Sequence, residues 1–309
     1  MQIIEGTTEF QLDKKSAVAI GKFDGIHRGH RKLLSHILVA KEDGLQTVVF
    51  TFDPPPDVFF GNRQDKELTT KEEKRKLFAE MGIDVLVEFP LTQETAATRA
   101  EAFVEKILVN QLKAVYIAAG TDVSFGYKKE GNYRLLQSMA DTLGYEVQLI
   151  DKVCLDGKEI SSTYVRTEVA KGNMQLVTTL LGSPYKVTGE VVHGRRLGRT
   201  LGMPTVNMTP PEIKLLPPNG VYISSVIYEG KKYRGITNIG VKPTVSNETQ
   251  IGVETYLYDF DEEIYGKELT IELLAFKRPE MKFENVEQLK AQMQKDIAEV
   301  LKQSANIGL

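Results

Sequence analysis

Cysteine is nearly absent from this chain: Cys154 is the only one among 309 residues. A single cysteine excludes an internal disulfide framework and a zinc cluster of the finger type. No stretch approaches the roughly 18 apolar residues of a membrane span. The opening residues, MQIIEGTTEFQLDKK, also lack the basic flank and apolar run of a signal peptide. We therefore expect a cytoplasmic protein.

An excess of charge of one sign is missing as well. The chain has 39 basic and 42 acidic residues, a net charge of −3 with histidine neutral. Such a balance gives no general attraction to nucleic acid or to an anionic membrane. We expect small-molecule partners, neither nucleic acid nor membrane, and the sequence does not indicate an oligomeric state. The length suits two domains, since single cores stop growing at about this size.

The first half of the chain has the sequence pattern of an α/β domain. Apolar and β-branched runs alternate with amphipathic helical patterns, such as those at 31–41 and 101–112, which predicts a parallel sheet covered on both faces. The predicted strands are SAVAIGKF (16–23), QTVVFTF (46–52), IDVLVEF (83–89), KAVYIAA (113–119) and YEVQLID (145–151). This half, residues 1–183, is predicted to be a Rossmann-like domain.

After about residue 183 the strands follow one another closely, without helices between them. This pattern predicts an antiparallel sheet that closes into a small barrel over residues 184–309. The apolar runs are KVTGEVV (186–192), 219–240, 249–260 and 267–279. The chain ends in a helical pattern that is predicted to pack on the barrel through one apolar stripe. Its members are Val286, Leu289, Met293, Ile297 and Leu301.

Two of only four histidines lie in GKFDGIHRGH, residues 21–30. A strand that runs into a glycine-containing loop and then a helix points backbone N–H groups at an anion. His27 and His30 are then placed to contact nucleotide phosphates and to stabilise charge in a phosphoanhydride reaction. A structural helix cap explains the bare motif equally well, whereas zinc lacks an obvious third ligand.

A second motif, ISSTYVR (160–166), favours the phosphate interpretation. Its hydroxyls, on Ser161, Ser162 and Thr163, can cap a helix while Arg166 reaches a phosphate. Core packing does not require such a cluster. The four segments GxFDGxHxGH, TFDPxP, GxDxxFG and ISSTxxR occur in this order, and together they resemble the FMN adenylyltransferase domain of the bifunctional bacterial riboflavin kinase/FAD synthetases.

That resemblance implies a nucleotidylyltransferase fold and a set of site residues. His27, His30 and Arg166 would be catalytic. ATP would also be bound by Gly21, Phe23, Asp24, Gly29, Ser162 and Thr163. The flavin would be contacted by Asp53, Asp122, Phe125 and Asn132. Two positions depart from the family pattern: Pro55 stands where histidine is usual, and Val123 where phenylalanine is usual.

The second half opens with the glycine- and arginine-rich stretch GEVVHGRRLGRTLGMPTVNM (189–208). Glycines permit a mobile flap over a polyanion and arginines supply charge, although a solvated basic turn also explains the arginines. Thr205 and Asn207 are two apart, so an extended chain points both to one face, where they can present oxygen to Mg²⁺ or phosphate. Glu254 lies in an apolar strand, either facing inward as a base or outward as a solvated residue.

These segments, with NIGVKPTV (238–245), VETYLYDF (253–260), EEIYGK (262–267) and FKRPEMKF, are similar to the riboflavin kinase domain of the same family. The resemblance implies that Glu254 is the catalytic base and that Arg278 and the terminal helix shape the flavin site. ATP would be bound by Gly194, Arg195, Thr205 and Asn207, the last two also holding Mg²⁺.

The predicted function is therefore twofold: ATP-dependent phosphorylation of riboflavin to FMN, and adenylylation of FMN to FAD. Phosphate is already a competent nucleophile, so the second step needs positioning and charge stabilisation rather than a base. Two alternatives stay open at this point. One is a riboflavin kinase with a degenerate adenylyltransferase domain, suggested by Pro55 and Val123, and the other is a non-catalytic flavin- or nucleotide-binding regulator.

Overall fold

A computed structural model provides the structure of the chain. It describes residues 1–61, 66–194, 202–243 and 249–307, with the backbone alone at 242–243, 249–250 and 302–307. The chain divides into two compact units, Met1–Ser162 and Thr163–Leu309. This division falls before residue 183, because the helix Met174–Leu181 packs on strands of the second unit. The predicted domain limits stay a prediction.

The first unit contains a six-stranded parallel sheet in the order β1-β4-β3-β2-β5-β6. Its strands are β1 (Gln2–Glu5), β2 (Ser16–Ile20), β3 (Gln46–Asp53), β4 (Val85–Pro90), β5 (Ala114–Gly120) and β6 (Glu146–Ile150). A two-stranded hairpin follows, of β7 (Cys154–Leu155) and β8 (Lys158–Glu159). The predicted parallel sheet is confirmed, and β1 is an additional edge strand that the pattern did not predict.

Helices cover both faces of this sheet. They are α1 (Arg28–Val39), α2 (Pro56–Phe59), α3 (Lys71–Glu80), α4 (Gln93–Ala96), α5 (Ala100–Ala102) and α6 (Tyr133–Leu143). The helix predicted at 101–112 continues from α5 as a π-helix, Phe103–Gln111. Two short 3₁₀ helices are Ala40–Asp43 and Tyr127–Lys129. Alternate strand residues feed two cores: Val18 packs with the π-helix side and Ala17 with the α1 side.

The second unit is a closed antiparallel barrel in the order β10-β13-β12-β11-β14-β9. Its strands are β9 (Tyr185–Val192), β10 (Thr205–Thr209), β11 (Gly220–Tyr228), β12 (Lys231–Pro243), β13 (Thr249–Leu257) and β14 (Glu268–Arg278). Its helices are α7 (Ser162–Ala170, whose first residue falls in the first unit), α8 (Met174–Leu181) and α9 (Val286–Ile307). The predicted barrel with a terminal helix is confirmed.

The apolar stripe predicted for α9 is confirmed at Ile297 and wrong at its two ends. Val286 and Leu301 are 46% and 41% exposed, whereas Val300 is 1% exposed and packs with Ile297 against the outer face of the barrel. The buried face of α9 differs from the predicted one because it includes Asp296, which pairs with Arg278 of β14. Among the described residues, no helix is both long and apolar enough to span a bilayer.

Candidate active sites

The first site lies where β2 ends and α1 begins. β2 is central: β3 lies on one side and β5 on the other, so the strand order reverses direction at this point. Open parallel sheets bind ligands at the carboxyl ends of their strands at such a reversal. The connecting loop is tight, with positive φ at Phe23, Gly25 and Ile26. Phe23 and Ile26 are fully buried, which holds this conformation in place.

His27 and His30 form a stacked pair at the start of α1. Their ring centroids are 3.8 Å apart and their planes differ by 19°. His27 is the N-cap, and its Nδ1 accepts a hydrogen bond from the backbone N–H of His30 at 3.4 Å. A Cβ at Gly29 would lie 3.1 Å from the His27 ring. The glycine of HxGH therefore permits the close approach of this imidazole to the backbone.

Both imidazoles are neutral at pH 7. Burial lowers the pKa of His27 to about 4. Burial, together with repulsion from His27 when that ring is protonated, lowers the pKa of His30 well below its ordinary value. The Nδ1 atom of His30 is buried without a hydrogen-bond partner among the described residues. Because desolvation disfavours the charged rings, a bound polyanion would have to stabilise any imidazolium formed here.

The other predicted ATP contacts of this unit support the loop. Phe23 packs against Gly21, where a Cβ would lie 3.0 Å from its ring, so Phe23 could contact ATP only through its backbone. Asp24 Oδ1 accepts from the backbone N–H of Leu68 at 3.0 Å, and Ser162 Oγ donates to the Asp24 carbonyl at 2.8 Å. The two motifs, GxFDGxHxGH and ISSTxxR, are thus joined by a direct hydrogen bond.

Thr163 and Arg166 belong to the second compact unit. They lie three residues apart in α7, which places them on the same side of that helix. Thr163 is exposed and Arg166 is half-buried. Their predicted contacts to ATP phosphate stay a prediction.

Most of the residues predicted to contact the flavin in the first unit have structural roles. Phe125 is 3% exposed and packs on Phe103 at 5.3 Å, and Asn132 caps α6 through the N–H of Leu135. Asp122 has a 73% exposed side chain, 3.4 Å from Lys152. Asp122 is therefore the member of this group with the freest side chain for a ligand.

A dense ion-pair cluster surrounds Asp53. Its carboxylate lies 2.7 Å from Lys71 Nζ, which also contacts Glu5 at 3.2 Å and Glu88 at 3.3 Å. The adjacent carboxylates raise the pKa of Lys71 despite its partial burial. Lys71 is thus a permanent cation at the carboxyl ends of β1, β3 and β4, and the sequence motifs did not single it out.

The two positions that depart from the family pattern, Pro55 and Val123, lie in different surroundings. Pro55 precedes α2, and its carbonyl accepts from the N–H groups of Val58 and Phe59, both at 2.9 Å. Val123 packs against the core on the π-helix side. Pro55 therefore does not supply the hydrogen-bonding group of the family's histidine, and Val123 does not supply the aromatic ring of its phenylalanine.

The second site is a row of polar side chains on the outer face of the barrel. Asn207, Glu254 and Asn238 are cross-strand partners on β10, β13 and β12. Thr237 and Thr255 hydrogen-bond to each other at 2.9 Å and are fully buried in the barrel interior. Because side chains alternate along a strand, the row containing Glu254 points outward.

Glu254 is nonetheless half-buried and held in place. Thr205 Oγ1 donates to Glu254 Oε1 at 2.5 Å, and Asn207 beside it is 7% exposed. The structure therefore brings together the three residues that the sequence predicted for this site. Of the two orientations left open for Glu254, the outward one is observed, but in a built polar site rather than in solvent.

Gly194 packs directly on this row. A Cβ at Gly194 would overlap the carboxamide of Asn207, so the position requires a residue without a side chain. His193, next to it, stacks on Tyr265 with ring centroids 3.9 Å apart. The predicted ATP contact Arg195 lies outside the described residues, as does Thr244 of the NIGVKPTV segment.

A pocket opens beside Thr205. Its lining combines aliphatic and aromatic side chains with a run of acidic residues: Val191, Pro204, Thr205, Val206, Leu257, Phe260, Asp261, Glu262, Glu263, Ile264 and Tyr265. Apolar and aromatic walls with a few polar groups are typical of small-molecule sites. Sequence reasoning identified the segment of Tyr265 only as a motif and assigned it no contact.

Arg278 holds the terminal helix. Its Nε and Nη2 both donate to Asp296 Oδ2, at 3.0 and 2.6 Å, and its Nη1 donates to the carbonyl of Pro279 at 3.0 Å. Asp296 is 3% exposed and also accepts from Gln292 at 3.0 Å. Arg278 thus fixes α9 to β14, and its predicted contact to the flavin stays a prediction.

A parallel sheet with an HxGH loop, followed by a barrel that presents a carboxylate beside a threonine and an asparagine, defines a two-domain, nucleotide-dependent transferase. Comparison with protein-family models agrees: FAD synthetase matches residues 9–164, and riboflavin kinase matches residues 181–304. The chain belongs to the bifunctional riboflavin kinase/FMN adenylyltransferase family. The family predicted from the motifs is confirmed.

Relatives of that description cover nearly the whole chain. The protein of Listeria monocytogenes is 38% identical over 293 residues, covering 94% of this chain and 93% of its own length. That of Escherichia coli K12 is 36% identical over 304 residues, covering 96% of each. A crystal structure from Streptococcus pneumoniae, described as a macrolide-efflux protein, has a TM-score of 0.85 at 29% identity and covers 96% of this chain and 97% of its own.

Proposed function

We propose that the barrel converts riboflavin to FMN and that the α/β unit converts FMN to FAD, with one ATP consumed at each site. The observation that carries the kinase half is the 2.5 Å hydrogen bond from Thr205 to Glu254, in a row with Asn207. A carboxylate held in this way is a positioned general base. The family membership supports both halves.

In the kinase step, Glu254 accepts the proton of the ribityl 5′-hydroxyl as that oxygen attacks the γ-phosphorus of ATP. The bond from phosphorus to the ADP oxygen breaks, and ADP leaves. The hydroxyl of Thr205 occupies Oε1 of Glu254, which leaves Oε2 for the substrate hydroxyl. Positioning and charge stabilisation supply most of the rate in phosphoryl transfer, and the base removes the proton as the bond forms.

The donors of this site fit Mg²⁺. A hydroxyl, a carboxamide and a carboxylate are hard oxygen ligands, and Mg²⁺ commonly binds through one or two protein groups together with substrate phosphates. Thr205 and Asn207 would hold the ion, and the lack of a side chain at Gly194 leaves room for the Asn207 carboxamide. When bound, the ion would neutralise negative charge on the transferred phosphoryl group.

The pocket beside Thr205 suits the adenosine of ATP. Val206 and Leu257 provide apolar contact, and Tyr265, stacked on His193, provides an aromatic wall. With adenosine in this pocket, the phosphates would extend toward Thr205 and Asn207. Gly194, which packs on Asn207, would then lie near the phosphates.

In the adenylyl step, a phosphate oxygen of FMN attacks the α-phosphorus of ATP, and pyrophosphate leaves. The FMN phosphate is ionised at neutral pH, so no proton has to be removed. His27 and His30 would bind the ATP phosphates as neutral donors or as one imidazolium stabilised by the polyanion. The predicted contacts of Arg166, Ser162 and Thr163 would supply the remaining positive charge and hydroxyls. Asp53 and Asp122 would border the flavin.

This proposal includes a cytoplasmic location and a set of partners limited to ATP, Mg²⁺, riboflavin, FMN and FAD. The balanced charge of the chain and its lone cysteine support it.

The test supplies purified protein with FMN, ATP and Mg²⁺, and measures FAD by chromatography. A His27→Ala, His30→Ala double variant is the background control. FAD above that background is expected. If none forms while riboflavin is still phosphorylated, the protein is a riboflavin kinase with a degenerate first domain, the alternative that Pro55 and Val123 suggest. Riboflavin-dependent ATP consumption that Glu254→Gln abolishes excludes a non-catalytic binding protein.

A further inference from the structure

Glu280 lies over the outer face of the barrel beside the kinase site. A Cβ placed on Gly240 would overlap its carboxylate, and Asn238 Nδ2 donates to its Oε1 at 3.4 Å. Gly240 and Asn238 are both in β12, two residues apart, so they share one face. The absence of a side chain at Gly240 therefore leaves the space that this carboxylate occupies.

That face is the one that carries the proposed base. Asn238 is the cross-strand partner of Glu254, and Gly240 is the partner of Gly252. Diagonal neighbours on a sheet are about 7–8 Å apart, which sets the distance scale from Glu254 to the space above Gly240. Gly240 and Gly252 carry no side chains, and both are buried beneath this face. Glu254, Asn238 and Glu280 thus form a polar row on one face of the barrel.

The backbone before Glu280 is held firmly. Arg278 donates to the Pro279 carbonyl at 3.0 Å and is fixed by two hydrogen bonds to Asp296. The position of Glu280 is therefore set by the barrel and the terminal helix together. Glu280 is exposed and lies next to the amide of Asn238, so its carboxylate is suited to accept hydrogen bonds from a ligand.

The substrate of the proposed kinase step has matching groups. Riboflavin carries three secondary hydroxyls on its ribityl chain, directly next to the 5′-hydroxyl that Glu254 would deprotonate. We propose that Glu280, together with Asn238, binds these secondary hydroxyls and so makes the kinase selective for the polyol side chain of its flavin. This rests on the proposed function, because it places the 5′-hydroxyl at Glu254.

The test compares riboflavin with a flavin that bears a 5-hydroxypentyl chain, which keeps the reacting hydroxyl and lacks the other three. Kinase kcat/KM is measured for the full-length protein, Glu280→Gln and Glu280→Ala. Gly240→Ala displaces the carboxylate without removing it; the backbone permits alanine because Gly240 does not have positive φ. Glu284→Gln, an exposed carboxylate of the same segment, is the matched control.

We expect the Glu280 variants and Gly240→Ala to lose about ten- to a hundredfold in kcat/KM for riboflavin, mainly through KM, since hydrogen bonds to a charged group are lost. The hydroxypentyl flavin should react at the same rate in all variants. Equal losses for both flavins, with lowered thermal stability, would show a structural role and overturn the proposal, as would unchanged selectivity. Kinase activity that survives Glu254→Gln would instead refute the proposed base.

Discussion

The two candidate sites differ in what they offer a nucleophile. The barrel site presents the carboxylate of Glu254, oriented by a hydroxyl at 2.5 Å. The α/β site presents two stacked imidazoles, His27 and His30, which burial keeps neutral. A sugar hydroxyl must lose its proton to attack phosphorus, whereas the phosphate of FMN has already lost it. The two sites thus match two nucleophiles, and each should fail independently of the other.

The largest effect is expected at the base. Glu254→Gln keeps the size of the side chain and its contact with Thr205 but cannot accept a proton, so kcat for riboflavin phosphorylation should fall by about 10²–10⁴. FAD formation from supplied FMN should be unchanged. Steady-state rates with riboflavin and with FMN check both statements. A similar loss in the two reactions would contradict the separation of the sites.

Removing the imidazoles should give the converse pattern. His27→Asn or His30→Asn removes one donor to the ATP phosphates, and loss of a single preorganised donor costs about 10²–10³ in kcat. The adenylyl reaction should show this loss while riboflavin phosphorylation stays within about twofold. His36→Asn, a change of the same type further along α1, is the control. A parallel fall in kinase activity would contradict the assignment of His27 and His30 to the adenylyl reaction alone.

The terminal helix offers a stability test in the barrel unit. Arg278→Met removes the two hydrogen bonds that Asp296 Oδ2 accepts and leaves Lys277 4.0 Å from Oδ1; breaking a buried ion pair of this kind costs roughly 3 kcal/mol. Hydrogen exchange should accelerate in α9 and in β14. Arg278→Met with Asp296→Leu, which removes both charges, should recover much of the loss. If the amides of α9 exchange as slowly in Arg278→Met as in the unchanged protein, Arg278 does not anchor the helix.

The α/β unit should lose stability in mild acid. Burial lowers the folded pKa of His27 to about 4, below its ordinary 6.5, so the unfolded chain takes up the proton first as the pH falls. The contribution of His27 is complete above about pH 6.5 and is lost between 6.5 and 4, with roughly 2 kcal/mol gone at pH 5. Urea unfolding at pH 7 and pH 5 measures the change. His27→Gln should reduce this dependence without abolishing it, because burial lowers the pKa of His30 as well; an equal slope in the variant would rule His27 out as a source.

The smallest effect is expected at Pro55. Pro55→His supplies the donor that the family pattern has at this position, while its carbonyl can still accept from Val58 and Phe59. One additional neutral hydrogen bond contributes about 1 kcal/mol, so kcat/KM for FMN should rise by about fivefold. Pro55→Ala, which adds no donor, should give no gain. A loss with histidine would show that proline is an adaptation of this pocket.

Much of this architecture could be predicted because its signals are local. Apolar runs identified most strands of both units, although not the edge strand β1, and the two-residue spacing of Thr205 and Asn207 placed them on one face. The outward orientation of Glu254 depends on its register with Asn207, which no single strand reveals. The stripe on α9 was predicted wrongly at Val286 and Leu301, since an apolar pattern does not show that Asp296 pairs with Arg278 on the buried face.

The features that escaped prediction depend on distant contacts. Nothing near Glu280 in the sequence indicates that it lies over Gly240, and nothing near Tyr265 indicates its stacking on His193. The neutrality of His27 and His30 follows from burial, which the motif alone does not show. Motifs therefore identified which residues form the sites, while the charge state and the second layer of contacts came from the fold.

The most direct test of two independent sites mixes two full-length variants, each inactive at one site. Neither Glu254→Gln nor His27→Asn alone should convert riboflavin to FAD at a normal rate, and the histidine variant should accumulate FMN. Mixed in equal amounts with riboflavin, ATP and Mg²⁺, they should restore FAD formation after a lag in which FMN rises. If the mixture forms no more FAD than the variants do separately, although each folds, then the account of two sites with separate chemistry is wrong.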